Sequence, residues 1–418
     1  MELSISQIER LCAAVYLDAL ITDGGKHSLA YIMDYILEEG FEKEEPPALM
    51  TRTQWETVAK SIRDDIKLKD FIITDYMNGE QTGRAVCFMN EKNPRELYVV
   101  FRGTSGDEEW YDNGLGMLVS DTPAQKSALD FLLKVSESPE LGFICVAGHS
   151  KGGNKAQYCA ILGTGIVDVC VSVDGQGFSR LFFDKYSGII EKRKARIISV
   201  AERRDFVNCL GFCLKEPDFY SGGRGDKSRE FPYGEPLPYF HCPDALRLKT
   251  GDIGPIAPVS YISRVINTFT LYFLTDDKYE KKRGETVLGL TSLMYRDGGG
   301  EKGARAVAEA ALAFFELAEE SPQFRAELAD LLLYEKDVVI ATTLMIKQNH
   351  RKSGVISDMI MMYTAENLLR HPAYFLSFIK CAERFAVYRR KAKTIGEQAE
   401  HVNHFLKGIS RHIEHKKI

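Results

Sequence analysis

The chain has 418 residues, of which 44% are hydrophobic and 27% are charged, and its net charge is −5. This length exceeds what one hydrophobic core usually fills, so we expect two domains, or one large domain with an appendage. The mild net charge does not indicate a nucleic-acid partner, and no apolar stretch reaches the length of a membrane span. The N-terminus carries Glu2 and Glu9 where a signal peptide would be basic, which predicts a cytoplasmic protein.

The nine cysteines are scattered, and most of them lie in apolar runs. This usage predicts free, buried thiols in a reducing compartment and no disulfide framework. Cys209 and Cys213 are four residues apart, but no second pair at a metal-ligand spacing accompanies them. We therefore predict no zinc site, and no cofactor.

The first segment, residues 1–66, is predicted to form helices that pack on the core. Ser6 and Glu9 have the spacing of a capping box and would begin the first helix. A second helix is predicted over 27–39, and a third over 51–66.

Residues 67–295 are predicted to form a core in which strands and helices alternate. Strands are predicted at 70–76, 84–89, 96–101, 143–147, 166–173 and 195–200, and helices at 122–136, 151–162 and 178–191. Such alternation favours an α/β fold with a mainly parallel central sheet flanked by helices. In these sheets the reactive groups gather beyond the carboxyl ends of the strands.

The last segment, residues 296–418, is predicted to be an all-helical extension, since no strand pattern appears beyond about residue 255.

The most informative motif is Gly148-His149-Ser150-Lys151-Gly152, which lies between a predicted buried strand and a predicted helix. This is the context of a G-x-S-x-G nucleophile elbow, in which a sharp turn presents the serine hydroxyl to a base. Ser150 is therefore the predicted nucleophile. The backbone N–H of Lys151 is a predicted oxyanion donor, and its side chain is expected on the helix surface. His149 is expected to pack or to position the loop.

A base and an acid should follow the serine in the order Ser, Asp or Glu, His. His241 is the only histidine between Ser150 and the helical C-terminal region, so it is the preferred base, and His371 is the second choice. Asp205 is preferred over Asp174 as the acid, because a carboxylate two strands beyond the nucleophile can reach the far side of the histidine. The adjacent charges Glu202, Arg203 and Arg204 are expected to be solvated. Thr104, at the end of an earlier strand, is the second candidate oxyanion donor.

The motifs together resemble a known family. Phe101-Arg102-Gly103-Thr104, then Glu109-Trp110 and Asn113, then GHSKGGN, then Asp205-Phe206-Val207 are similar to motifs of the class 3 (fungal-type) lipases. The resemblance is greatest to a bacterial branch, the Mbeg1-like family. It implies an α/β-hydrolase fold, a triad of Ser150, Asp205 and His241, and an oxyanion hole formed by Thr104 and Lys151.

These observations predict a serine hydrolase that cleaves carboxylic esters, with a small-molecule or lipid ester as substrate. Two alternatives stay open. The same triad would serve a thioesterase or a peptidase, because it supports acyl transfer in general. The fold would also suit a non-catalytic interaction protein whose C-terminal helices bind a protein partner.

Overall fold

The computed structural model describes residues 3–39, 48, 50–222, 237–248, 250–295 and 298–342. The described chain divides into two compact units, one comprising the residues up to Ser263 and the other those from Arg264 onward. The predicted domain boundaries at residues 66 and 295 stay predictions, and most of the predicted C-terminal extension lies outside the described residues.

A seven-stranded sheet forms the centre of the first unit, with its strands in sequential order from β1 to β7. The strands are β1 Phe71–Gly79, β2 Gly83–Asn90, β3 Asn93–Phe101, β4 Phe143–His149, β5 Val169–Val173, β6 Ile197–Glu202 and β7 Asp218–Tyr220. The first three strands form an antiparallel meander, and each pair from β3 to β7 is parallel. Parallel neighbours require crossover connections; those from β3 to β6 contain helices, whereas the connection from β6 to β7 is irregular.

Helices cover both faces of this sheet. The helices of the first unit are α1 Ile5–Ala14, α2 Ala19–Asp23, α3 Leu29–Glu39, α4 Arg52–Arg63, α5 Asp107–Gly116, α6 Pro123–Val135, α7 Lys151–Leu162 and α8 Arg180–Arg193. One hydrophobic cluster joins the N-terminal helices to Val100 and Ala147 of the sheet, and the other joins α6, α7 and α8 to Val99 and Val146. Neighbouring strand residues thus face opposite cores, which explains why residues 97–101 of β3 and 143–147 of β4 are continuous apolar runs.

The sheet and its helices confirm the predicted α/β-hydrolase fold, with a mainly parallel sheet and additional helices. The capping box of α1 was predicted wrongly, because Ser4 and Gln7 form it. Glu9 is instead fully buried and pairs with Arg247.

The second unit is helical in its described part. It contains most of α9 Tyr261–Thr275, followed by α10 Glu280–Ser292, α11 Gly300–Glu320 and α12 Pro322–Tyr334. Gly289 of α10 lies so close to Ala306 of α11 that a side chain at 289 would clash with it. Lys278 binds Glu316 at 3.2 Å and Glu320 at 2.9 Å, which ties the segment before α10 to α11. Across the whole described part, no helix is both long and apolar enough to cross a membrane.

Candidate active site

Ser150 lies at the turn between β4 and α7, where its backbone is strained. Its φ of 60° and ψ of −127° are a combination that non-glycine residues rarely adopt. The flanking glycines make the turn possible by close approach. A Cβ at Gly148 would overlap the backbone of Gly152, and a Cβ at Gly152 would overlap the carbonyl of Phe101 in β3. The G-x-S-x-G spacing therefore follows from how tightly the elbow packs on the neighbouring strand.

A continuous chain of hydrogen bonds joins Ser150, His241 and Asp205. The Ser150 hydroxyl donates to His241 Nε2 at 2.8 Å, and His241 Nδ1–H donates to Asp205 Oδ1 at 2.6 Å. Asp205 is fully buried, whereas the His241 side chain is 13% exposed. The structure thus brings together the three residues that the sequence analysis selected, in the geometry that a serine nucleophile and its base require.

Backbone groups hold the carboxylate of Asp205 in place. Its second oxygen, Oδ2, accepts hydrogen bonds from the N–H groups of Val207 at 3.1 Å and Asn208 at 2.7 Å. Both oxygens of this buried carboxylate are therefore satisfied, which fixes the direction of the bond to His241.

His241 ends a short 3₁₀ helix, Leu237–His241, and the residues that follow it are anchored to the N-terminal helices. Arg247 Nε donates to Glu9 of α1 at 2.7 Å. Asp244 accepts a hydrogen bond from Gln54 of α4 at 3.4 Å. Since both contacts are buried, the position of the base depends on helices more than 180 residues earlier in the chain.

His149 is buried beside the base, in agreement with the packing role expected for it. Its ring stacks on that of His241, with centroids 4.8 Å apart, and its Nδ1 is hydrogen-bonded to the Tyr16 hydroxyl at 2.9 Å. Burial lowers the pKa of His149 well below its ordinary value, and the nearby His241 lowers it further. The Tyr16 contact was not predicted, because no local pattern links residues 133 positions apart.

Thr104 and Lys151 are the predicted oxyanion donors. Thr104 follows β3 and Lys151 is the first residue of α7, next to Ser150. Asn113 Nδ2 donates to Thr104 Oγ1 at 2.7 Å, so the hydroxyl hydrogen of Thr104 is available for another acceptor. Glu109 accepts the N–H of Ser105 at 2.5 Å and so restrains the same loop.

The expectation that the Lys151 side chain lies on the helix surface is wrong. The side chain is 1% exposed and pairs with Asp112 of α5 at 2.8 Å. Burial acts to raise the pKa of Asp112, but Lys151 and the hydrogen-bond donors around the carboxylate outweigh burial and lower it. The side chain is buried because a carboxylate from α5 pairs with it, and no local sequence pattern indicates that contact.

Asp174, the alternative acid, lies at the end of β5 and is also buried. Its Oδ1 accepts the N–H of Glu202 at 2.7 Å, while His241 is bound by Asp205. Burial raises the pKa of Asp174 well above its ordinary value, and the charge of Asp205 raises it further. Both effects disfavour the charged form of Asp174.

Glu202 was predicted to be a solvated loop charge, and this is wrong. It is 1% exposed, at the end of β6, and one of its oxygens accepts the N–H of Arg204 at 2.5 Å. Burial raises the pKa of Glu202 to about 8, against a smaller lowering by Arg204.

His371, the second choice of base, lies outside the described residues. Eight cysteines lie in the described ranges, and all of them are free thiols, with Cys213 exposed and the others buried. In the same ranges, no three His, Cys, Asp or Glu side chains form a group that could hold a metal ion.

The fold is that of an α/β hydrolase, and Ser150 lies at the sharp turn between β4 and α7. Residues 59–200 match the model of the Mbeg1-like family, which confirms the resemblance drawn from the sequence motifs. The matched segment includes Thr104, Ser150 and Lys151 and ends before Asp205 and His241. No curated protein matches the chain.

Solved structures that are similar to the chain include two lipases. Lip2 lipase from Yarrowia lipolytica is 12% identical, with a TM-score of 0.33, and the match covers 52% of this chain and 78% of that one. M37 lipase is also 12% identical, with a TM-score of 0.30, and the match covers 69% of this chain and 95% of that one.

Proposed function

We propose that the protein is a serine hydrolase that cleaves carboxylic esters through an acyl-enzyme. The observation that supports this most directly is the hydrogen-bonded chain Ser150–His241–Asp205, with its distances of 2.8 Å and 2.6 Å. This observation supports the proposal independently of the resemblance to lipases, because it concerns only the position of a base beside a strained serine.

The first step is attack by the Ser150 hydroxyl on the ester carbonyl. His241 Nε2 takes the hydroxyl proton as the new C–O bond forms, and Asp205 stabilises the resulting imidazolium. The imidazolium then returns this proton to the departing alcohol. A water molecule, deprotonated by the same histidine, then attacks the acyl carbon, and the imidazolium returns that proton to the Ser150 oxygen as the carboxylic acid departs.

The tetrahedral intermediate carries a negative oxygen that needs hydrogen-bond donors. The backbone N–H of Lys151, the N–H of Thr104 and the Thr104 hydroxyl are the proposed donors. Donors fixed before the reaction are effective because they need no reorganisation when the charge develops.

The proposal is tested by labelling with a fluorophosphonate probe, which reacts with activated serines. We expect the wild-type protein to be labelled, the Ser150→Ala variant to remain unlabelled, and His241→Ala to react far more slowly. Ser138→Ala, at an exposed serine between α6 and β4, is the matched control and should be labelled like wild type. A folded wild-type protein that resists the probe would contradict the proposal.

Substrates that carry the same acyl chain and differ only in the bond to it identify the bond that the protein cleaves. We expect ester hydrolysis to exceed hydrolysis of the thioester and amide with the same acyl chain. A series of acyl-chain lengths would then distinguish a small ester from a lipid ester. Faster turnover of the thioester or the amide would contradict ester hydrolysis as the reaction but would remain consistent with the proposed triad.

A further inference from the structure

Five charged side chains are buried together between α5 and the elbow. Their side-chain exposures lie between 0% and 11%, and their ion pairs are Arg102–Glu109 at 3.2 Å, Lys155–Glu109 at 3.4 Å and Lys151–Asp112 at 2.8 Å. Taking paired charges out of water usually gains little stability compared with well-packed apolar side chains. This cluster therefore calls for an explanation other than stability.

Each acidic member of the cluster is linked to the loop that carries Thr104. Glu109 accepts the N–H of Ser105, the residue after Thr104, at 2.5 Å. Asp112 is followed by Asn113, whose Nδ2 holds the Thr104 hydroxyl at 2.7 Å. The position of α5 thus determines the position of one half of the oxyanion hole.

The basic partner Lys151 supplies the other half. Its backbone N–H is the proposed donor next to Ser150, while its Nζ binds the Asp112 carboxylate at 2.8 Å and the Asp112 carbonyl at 3.2 Å. One residue therefore joins the elbow to α5 through two directional contacts. An apolar contact between the same helices would not fix their separation and orientation as closely, because it has no preferred direction.

We propose that the buried Lys151–Asp112 ion pair positions the oxyanion hole, by fixing the distance between the donors at Thr104 and Lys151. The side chains of Lys151 and Asp112 act as positioning residues, and neither touches the substrate. Asp112 is itself held by the Thr122 hydroxyl at 2.8 Å and the Ala124 N–H at 3.1 Å, which connects the pair to the start of α6. This inference rests on the proposed function.

The test is a neutral variant of nearly the same shape, Lys151→Met with Asp112→Asn. It removes both charges together, so no unpaired charge is left buried, and the amide oxygen of the new asparagine still accepts the Ala124 N–H. We expect kcat to fall about 10- to 100-fold with KM little changed, which is less than the ~10²–10³-fold cost of losing an oxyanion donor outright.

A trifluoromethyl ketone inhibitor supplies a readout that a purely structural role would not change. It forms a tetrahedral adduct with the serine and needs the oxyanion hole, so its affinity should fall in parallel with kcat. A non-reactive ester analogue should bind the variant as it binds wild type. The matched control is Lys134→Met with Asp75→Asn, which removes an exposed ion pair of 3.1 Å. It should leave kcat, the inhibitor affinity and the affinity for the ester analogue unchanged.

A second variant, Asp112→Glu, retains both charges and displaces the carboxylate by one methylene. It should also lower kcat at constant KM. If the neutral variant does not fold, a parallel fall of kcat and inhibitor affinity in Asp112→Glu tests the positioning role instead. Wild-type kcat and inhibitor affinity in the folded variants would overturn the positioning role. That result would leave the proposed function intact, whereas an unlabelled wild-type enzyme would overturn the proposed function itself.

Discussion

His149 and His241 stack face to face, with ring centroids 4.8 Å apart and an angle of 30° between their planes. Two imidazolium ions at this separation would repel each other, yet His241 must carry a proton during the proposed reaction. The structure avoids the conflict because burial lowers the pKa of His149 well below its ordinary value.

We therefore predict that replacing His149 with an uncharged ring does not shift the pH at which kcat/KM falls on the acid side. The His149→Phe variant should lose activity at low pH with a single-proton slope and a midpoint within about half a pH unit of wild type. If His149 were charged, its removal would relieve repulsion, His241 would protonate more easily, and this fall would move to higher pH. Measuring kcat/KM from mildly acidic to mildly alkaline pH distinguishes the two cases.

Asp205 and Asp174 are both buried carboxyl groups, and we predict that the same substitution lowers kcat strongly at one and little at the other. The Asp205→Asn variant should lose about 10³–10⁴-fold in kcat, because the amide cannot hold the histidine in the required tautomer. The Asp174→Asn variant should stay within a few-fold of wild type, because burial already disfavours the charged form of this carboxyl and asparagine retains an acceptor for the Glu202 N–H. Steady-state rates of the two folded variants test this, and a severe loss in Asp174→Asn would assign it a role in the triad.

The parts of the site that could be predicted from sequence are those governed by local backbone geometry. The elbow strand and α7 follow from an apolar run, two close-packed glycines and a helical pattern, and α7 spans Lys151–Leu162 as predicted. The order of triad residues along the chain then selected Asp205 and His241. The structure places both beside Ser150, although their catalytic roles stay proposals.

The parts that could not be predicted depend on contacts between distant residues. No helix was predicted over α5, because its buried face consists mainly of Glu109, Asp112, Asn113 and glycines and so lacks an apolar stripe. Its buried charges are satisfied by Arg102, Lys151 and Lys155, which no periodicity reveals. The short strand β7, three partly exposed residues, was missed because it has neither alternation nor an apolar run.

Glu202 provides a prediction about stability and pH. Burial raises its pKa to about 8, whereas the pKa of an ordinary glutamate is about 4.3. Between these values the folded protein holds a proton that the unfolded chain has released, so this group makes the protein less stable as the pH rises from about 4.3 to about 8.

The Glu202→Gln variant removes this titration while it keeps a hydrogen-bond acceptor for Arg204. Its unfolding free energy should equal that of wild type at about pH 4 and exceed it by roughly 1–4 kcal/mol at about pH 8. Above that pH the difference between the two unfolding free energies should not grow further. Urea unfolding at several pH values measures the difference. The exposed Glu137→Gln is the control and should follow the wild-type curve; a constant offset for Glu202→Gln at every pH would refute the prediction.

The Thr104 hydroxyl provides the last prediction. Asn113 donates to its oxygen at 2.7 Å, which leaves the hydroxyl hydrogen for the oxyanion. The Thr104→Val variant retains the shape of the side chain and loses this donor, so kcat should fall by about 10²-fold or more while KM stays nearly constant. Thr104→Ser retains the hydroxyl and should remain within a few-fold of wild type. If valine and serine variants show the same kcat, the hydroxyl does not act on the transition state, and the backbone N–H groups of Thr104 and Lys151 would form the oxyanion hole without it.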